Sequence, residues 1–254
     1  MISLGTLNQT LAEQQQSDQI ELTAIVDTTL CVGAGGSSGS LADKPIIKTA
    51  DGRLIIPASQ LKGRLRHECE KITRALGWPI CHSPVAQSMC PEREGISDKE
   101  EADFQQMAQQ GQYQVSGFRG EHCLVCQLFG NPTLPANLHF SDLVCSEAAE
   151  TIPEVLRPGV TINRRRQTAE EQKLYFLETS PANAKLKFEG TITLLPGTPD
   201  YARLLIFIGL KHIHALGGSK STGLGWLHWE SPLFSDSHLL DVGSLDKSKV
   251  GGAS

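Results

Sequence analysis

Residues 53–66 read RLIIPASQLKGRLR, and this stretch sets the architecture. Arg53 to Ile56 is a short, mostly apolar run suited to a strand. Pro57 interrupts it, because proline has no N–H to give to a sheet ladder. Ser59 is placed to cap a helix. Beyond it Leu61, Leu65, Cys69, Ile72 and Leu76 recur at helical spacing as one apolar stripe, and Gly77 supplies a stop. Lys62 and Arg66 share another face of that helix. Gly63 lets a partner approach it closely at a modest cost in stability.

Upstream, Ile20, Leu22, Ala24 and Val26 alternate with polar or small neighbours, which predicts a half-buried strand. The Gly33 to Ser40 run that follows reads as a flexible loop. Downstream, residues 78–135 carry prolines, glycines, polar runs and four cysteines, and read as an irregular insertion held by metal. Leu138, Phe140 and Leu143 suggest another strand. Residues 160–180 are polar and basic, and Leu186, Phe188, Ile192 and Leu194 alternate as a further strand. Pro199-Asp200 opens a second helix, expected over Tyr201 to Leu216 and apolar almost all round. Leu224 to Trp229 gives a last strand, and 235–254 reads as a flexible tail. Strand, helix, strands, helix, strand is the ferredoxin-like order that RRM domains also use, an α+β class. One domain spans 1–254, with no internal repeat.

The bulk composition excludes several classes. Hydrophobic content of 39% and charged content of 20% are ordinary for a soluble globular chain of 254 residues. No apolar run is long enough to span a bilayer, which argues against a membrane partner. The N-terminus lacks the basic and apolar regions of an export signal. That points to the cytoplasm, where the seven cysteines serve as thiols or metal ligands. A net charge of −5 disfavours nucleic acid, but the charge is segregated. Lysines and arginines crowd 44–74, Arg164 to Arg166 form a second cluster, and acids concentrate in 92–103.

Cys123 and Cys126 have the two-residue gap that brings both thiolates to one tetrahedral ion. Cys81 and Cys90 lie in the same segment and complete a four-cysteine set, with His82 and His122 as possible substitutes. A structural zinc is expected, one that holds shape and does no chemistry. The competing redox reading requires a CxxC that opens a helix, and here the motif sits in an insertion. Gly217-Gly218-Ser219-Lys220-Ser221-Thr222-Gly223-Leu224-Gly225 is not a Walker A loop, because Ser219 precedes the lysine and the loop follows a helix. Its amides and Lys220 can cradle a backbone phosphate, or simply connect a helix to a strand. The Arg164 to Arg166 run is either solvated surface or an RNA contact. Asp43, beside Lys44-Pro45, reads alone as a turn residue.

Together these blocks resemble the repeat-associated RAMP superfamily, in particular the backbone subunits of type III CRISPR effector complexes. The resemblance rests on Gly33 to Ser40 followed by Asp43-Lys44-Pro45, on Ile56 to Arg66, on Ile162 to Ala169 with Leu174 to Pro181, and on Gly217 to Trp226. It covers roughly 20–230. Asn163 stands where the family often has aspartate, and Ala58 where it often has glycine. The resemblance implies a β-hairpin thumb over 155–182 and a zinc-bound cysteine insertion over 78–135. It implies a crRNA held through Ser59, Lys62, Arg64, Arg66, Gly217, Gly218, Ser219 and Lys220, with Asn163 and Arg164 to Arg166 at the guide–target duplex. It implies cleavage of target RNA with Asp43 positioning a divalent ion such as magnesium, Asp51 being a weaker candidate. Partners would be crRNA, target RNA and neighbouring subunits of the complex. A non-catalytic subunit of the same complex is the alternative, and a crRNA-processing ribonuclease using His212 and His214 is another.

Overall fold

A computed structural model of the protein describes residues 18–33 and 42–235. The glycine-rich run 34–40 and the tail 236–254 lie outside the described residues. The first strand, β1 (Asp18–Val26), follows the alternation of its sequence, with Ile20, Leu22, Ala24 and Val26 facing the core. It pairs antiparallel along its whole length with β7 (Leu186–Leu194), from Asp18↔Leu194 to Val26↔Leu186. Its other edge takes β8 (Leu227–Glu230). β7 in turn carries β3 (Leu138–Phe140) and β4 (Leu143–Cys145), and β2 (Ile55–Ile56) pairs with β4. The sheet therefore runs β2-β4-β7-β1-β8, with β3 on a further stretch of β7. The fold is α+β.

Helix α1 (Ala58–Ala75) buries Leu61, Leu65 and Cys69 in the core. Each buried leucine contributes roughly 2 kcal/mol of transfer free energy. The final helix, α4 (Ala202–Lys211), crosses α1 at Gly209, where a Cβ would lie 2.6 Å from Leu65 Cδ1 and 3.0 Å from Cys69 Sγ. That glycine sets how closely the two helices approach.

Several local expectations change. The α1 N-cap is Pro57 rather than Ser59, which sits exposed in the first turn. The proline already has φ −60°, and Ala58 N–H donates to Asp142 Oδ1 at 2.7 Å, so a side chain from the β3–β4 turn does the capping. The apolar stripe ends early, because Leu76 lies past the last helical turn and is 57% exposed. α4 stops at Lys211, not Leu216. From there Leu227 N–H donates to the His214 carbonyl and Ala215 bridges Trp226, so extended pairing displaces the helix. His212 and His214, named above for the ribonuclease alternative, are both exposed.

The insertion is also more regular than expected. It contains α2 (Asp98–Gln109) and the short α3 (Leu124–Phe129). Ser97 and Glu100 form a reciprocal capping box at the start of α2. Residues 155–179 form a separate two-stranded hairpin, β5 (Val155–Asn163) with β6 (Thr168–Thr179). Among the described residues no helix is long and apolar enough to cross a membrane.

Candidate functional site

Cys123 is the N-cap of α3 and Cys126 lies one turn on, so the CxxC does open a helix. The redox reading nevertheless loses ground, because Cys81 and Cys90 converge on the same point. The four Sγ atoms lie within 4.8 Å of one another and all four residues are buried. Cys81 Sγ is 3.8 Å from Cys123 Sγ and 3.5 Å from Cys126 Sγ. A tetrahedron with metal–sulfur bonds of about 2.3 Å has sulfur–sulfur edges of ~3.8 Å. The donor set thus fits a tetrahedral soft-metal site such as zinc, and is too widely spaced for a disulfide. His82 instead faces Glu100, and His122 hydrogen-bonds Arg119 O and Asn131, so neither substitutes in the set.

Four buried thiols at this spacing cannot all carry charge without a cation. Hydrogen bonds from Cys123, Cys81 and Cys90 hold Cys126 far below the ordinary thiol range. Burial, in contrast, pushes Cys123 up. Arg66 Nη2 lies 3.5 Å from Cys126 Sγ, and its Nη1 donates to Gly130 O at 2.7 Å. Burial works against the Arg66 charge, but Cys126, Glu70 and Cys81 outweigh it and the net shift is upward. The remaining cysteines, Cys31, Cys69 and Cys145, are buried thiols raised by desolvation, and behave as inert core groups.

A second cluster forms where the hairpin joins the sheet. Asp43 is exposed, and its Oδ2 accepts the Phe176 N–H at 2.7 Å while its own N–H donates to Phe176 O at 3.0 Å. Lys44 bridges Leu177 in parallel, and Glu178 N–H donates to Lys44 O. Asp51 sits instead in a turn, bound by Arg53 Nε at 2.8 Å. Segment 29–31 ties this hairpin base to the glycine-rich loop. Leu30 exchanges hydrogen bonds with Ser180, and Arg157 donates to Thr29 Oγ1. On the other side Gly218 N–H donates to Cys31 O at 2.6 Å and Gly225 N–H to Thr29 O at 2.7 Å.

The loop is closed by these contacts. A Cβ on Gly217 (φ +89°) would meet Cys31 O at 2.6 Å, so glycine is needed for packing there. Lys220 Nζ donates to Gly217 O at 2.9 Å, while Ser219 and Lys220 remain exposed. The Gly218 amide is thus already engaged. On α1, Ser59 is exposed and Lys62 partly buried. Arg64 pairs with the fully buried Glu68 at 2.8 Å, and Lys71 shares that carboxylate.

At the hairpin tip Asn163 Oδ1 accepts the N–H groups of Arg165 and Arg166, which shapes the turn and leaves Arg164, Arg165 and Arg166 exposed. Val160 and Leu174 face each other across the hairpin, 45% and 60% exposed, and Ile162 is 60% exposed. An isolated two-stranded hairpin with so much apolar surface in water is marginal on its own. Such a surface suits a bound partner.

A family model for the RAMP superfamily matches residues 23–228. The chain belongs to the RAMP superfamily. A comparison with curated protein sequences returned no match. The matched span runs from β1 to β8 and takes in both clusters described above. Membership in the RAMP superfamily points to a CRISPR-associated RNA-binding subunit and to RNA within such a complex as its partner.

Sequence reasoning named Arg66 as a guide contact but not as the neighbour of a cysteine, and it missed Glu70, which supports Arg66, and Asp142, which caps α1. The i,i+4 spacing of Arg66 and Glu70 is a signal of pairing. Nothing local in sequence announces Asp142, which is 84 residues from the amide it caps.

Proposed function

We propose that this RAMP-superfamily protein is a crRNA-binding backbone subunit of a type III CRISPR ribonucleoprotein, and that it cleaves guide-paired target RNA. In this reading the sheet and α1 and α4 form a ferredoxin-like core, for which the strand order β4-β7-β1-β8 is the supporting observation. The hairpin around 155–182 acts as the thumb, the 78–135 insertion holds a structural zinc through Cys81, Cys90, Cys123 and Cys126, and the protein works in the cytoplasm alongside neighbouring subunits.

The observation that carries the reading is the bond between Asp43 and Phe176. It links an aspartate matching the family's cleaving position to the base of a hairpin with an arginine tip and exposed apolar residues. Ile162, Leu174 and Val160 are suited to wedging between stacked bases, and Arg164 to Arg166 to the flanking phosphates. Ser59 and Lys62 on α1, with Ser219 and Lys220 of the glycine-rich loop, offer sequence-independent phosphate contacts, as a guide of variable sequence requires.

For cleavage, the neighbouring ribose 2′-OH attacks the phosphorus as it gives up its proton. The 5′-oxygen departs and takes up a proton, leaving a 2′,3′-cyclic phosphate and a 5′-OH. Asp43 contributes one exposed carboxylate, which matches magnesium's habit of binding one or two carboxylates together with water and substrate phosphates. When bound, the ion would stabilise charge on the phosphate oxygens.

The test is a target-cleavage assay on the reconstituted, guide-loaded complex. Asp43→Asn should lower the cleavage rate by about 100-fold or more while guide binding is retained. Cleavage at the wild-type rate would remove Asp43 from the chemistry.

A further inference from the structure

Arg66 belongs to a connected chain of contacts on the insertion side of α1. Its Nε donates to Glu70 Oε1 at 2.9 Å, its Nη1 to Gly130 O at 2.7 Å, and its Nη2 approaches Cys126 Sγ at 3.5 Å. Glu70 Oε1 also accepts the Ser83 hydroxyl at 2.6 Å, and Arg74 Nη2 donates to Cys81 O at 3.2 Å. Ser83 is two residues from Cys81. The Arg66–Glu70 pair therefore holds both halves of the four-cysteine set, Cys126 through the arginine and the Cys81 loop through the glutamate. Both side chains are largely buried, at 16% and 6% exposure.

Charge explains why an arginine stands there. A divalent ion held by four thiolates keeps two negative charges uncompensated, and burying net charge is costly unless it is paired and hydrogen-bonded. A guanidinium directed at one sulfur, with its other donors fixed by a carboxylate and a carbonyl, supplies both a cation and an N–H···S contact. A phosphate contact would need those same donors. With all three nitrogens engaged in the interior, Arg66 is poorly placed to serve an RNA backbone.

We infer that Arg66 is the outer-sphere partner of the four-cysteine metal centre, compensating its charge and clamping α1 to the metal-bearing insertion, and is not a guide-phosphate contact. This rests on the zinc reading of the cysteine set. Metal occupancy then becomes coupled to the placement of α1, the helix that presents Ser59 and Lys62.

The test uses the full-length chain with zinc as the probe, comparing wild type, Arg66→Gln and Arg66→Lys. Zinc affinity is measured by chelator competition, and the thiolate-to-metal band is recorded after cobalt substitution. Arg66→Gln should weaken zinc by about 10- to 100-fold, the range for removal of an outer-sphere partner. Arg66→Lys keeps a charge but cannot reach three acceptors at once, so it should also shift the cobalt band and weaken zinc, by less. If Arg66→Gln does not fold, the lysine variant decides. Wild-type zinc affinity with an unchanged cobalt band in the variants would overturn the inference alone. A wild-type chain that takes up no stoichiometric zinc would overturn it together with the zinc reading.

Discussion

The carboxylate of Asp43 accepts the backbone N–H of Phe176 at 2.7 Å, so this side chain adds its own tie to the backbone pairing of Asp43 and Lys44 with the hairpin. A backbone amide asks only for an oxygen acceptor, and asparagine keeps one. Asp43→Asn should leave the Phe176 amide protected from hydrogen exchange, whereas Asp43→Ala should speed its exchange, for the loss of a bond contributing about 1 kcal/mol. Equal exchange in both variants would show that the carboxylate does not hold the hairpin.

The four-cysteine centre predicts a stability effect well beyond one missing thiol. Cys123→Ser or Cys126→Ser should reduce bound zinc and lower Tm. A loss of ~3 kcal/mol corresponds to roughly 6–12 °C in a chain of this size. A chelator should lower the Tm of the wild type in the same direction and leave the variants less affected. Unchanged melting in all cases would make the cysteine cluster incidental.

Much of this architecture is legible in the sequence. The period-two pattern of Ile20 to Val26 and the stripe of Leu61, Leu65 and Cys69 announce β1 and α1, because burial of those residues is what the pattern encodes. The four cysteines are legible as a set because metal sites need specific donors. Helix α2 is not, since its residues are mostly polar and only Phe104 and Ala108 are buried. Its one local signal is Ser97 with Glu100 three residues on. The roles of Arg66 and Asp142 depend on partners 60 and 84 residues away, which no local pattern reports.

That capping box carries a pH signature. Hydrogen bonds from the Ser97 backbone and side chain hold Glu100 below its ordinary 4.5. A carboxylate depressed on folding contributes stability that is complete above the unfolded value and lost as pH falls through the folded one. Ser97→Ala should therefore cost about 1 kcal/mol at neutral pH, measured by denaturant unfolding. The difference from wild type should shrink below pH 4.5. A penalty that stays constant as the pH is taken down through and well below 4.5 would mean Glu100 does not take part.

Gly225 tests the packing of the glycine-rich loop. Its φ is +72°, and a Cβ there would lie 1.8 Å from Leu216 O. Gly225→Ala should destabilise the protein by about 3 kcal/mol through strain and steric displacement. Gly223 also has positive φ but open space around its Cβ, so Gly223→Ala should cost less, about 1 kcal/mol. Equal costs would mean the clash with Leu216 is relieved by a small shift.

Salt dependence separates the proposed phosphate-binding residues from the interior arginine. Lys62→Ala, and the triple change of Arg164, Arg165 and Arg166 to alanine, should each flatten the plot of log affinity against log salt for guide RNA. The slope should fall by about 0.7 for each single-strand phosphate left without its cation. Arg66→Gln, measured with saturating zinc, should leave that slope unchanged, because a side chain that does not neutralise a phosphate can lose its charge without changing counterion release. A slope unaffected by Lys62→Ala would take α1 off the guide path.

Guide binding is tested most directly by purifying the chain with its native partners at low salt and sequencing the RNA that accompanies it. Repeat-derived guide RNAs with variable spacers, in lengths that step by a fixed increment, are the expected result. Protein recovered with its partners but without such RNA would contradict the guide-binding role.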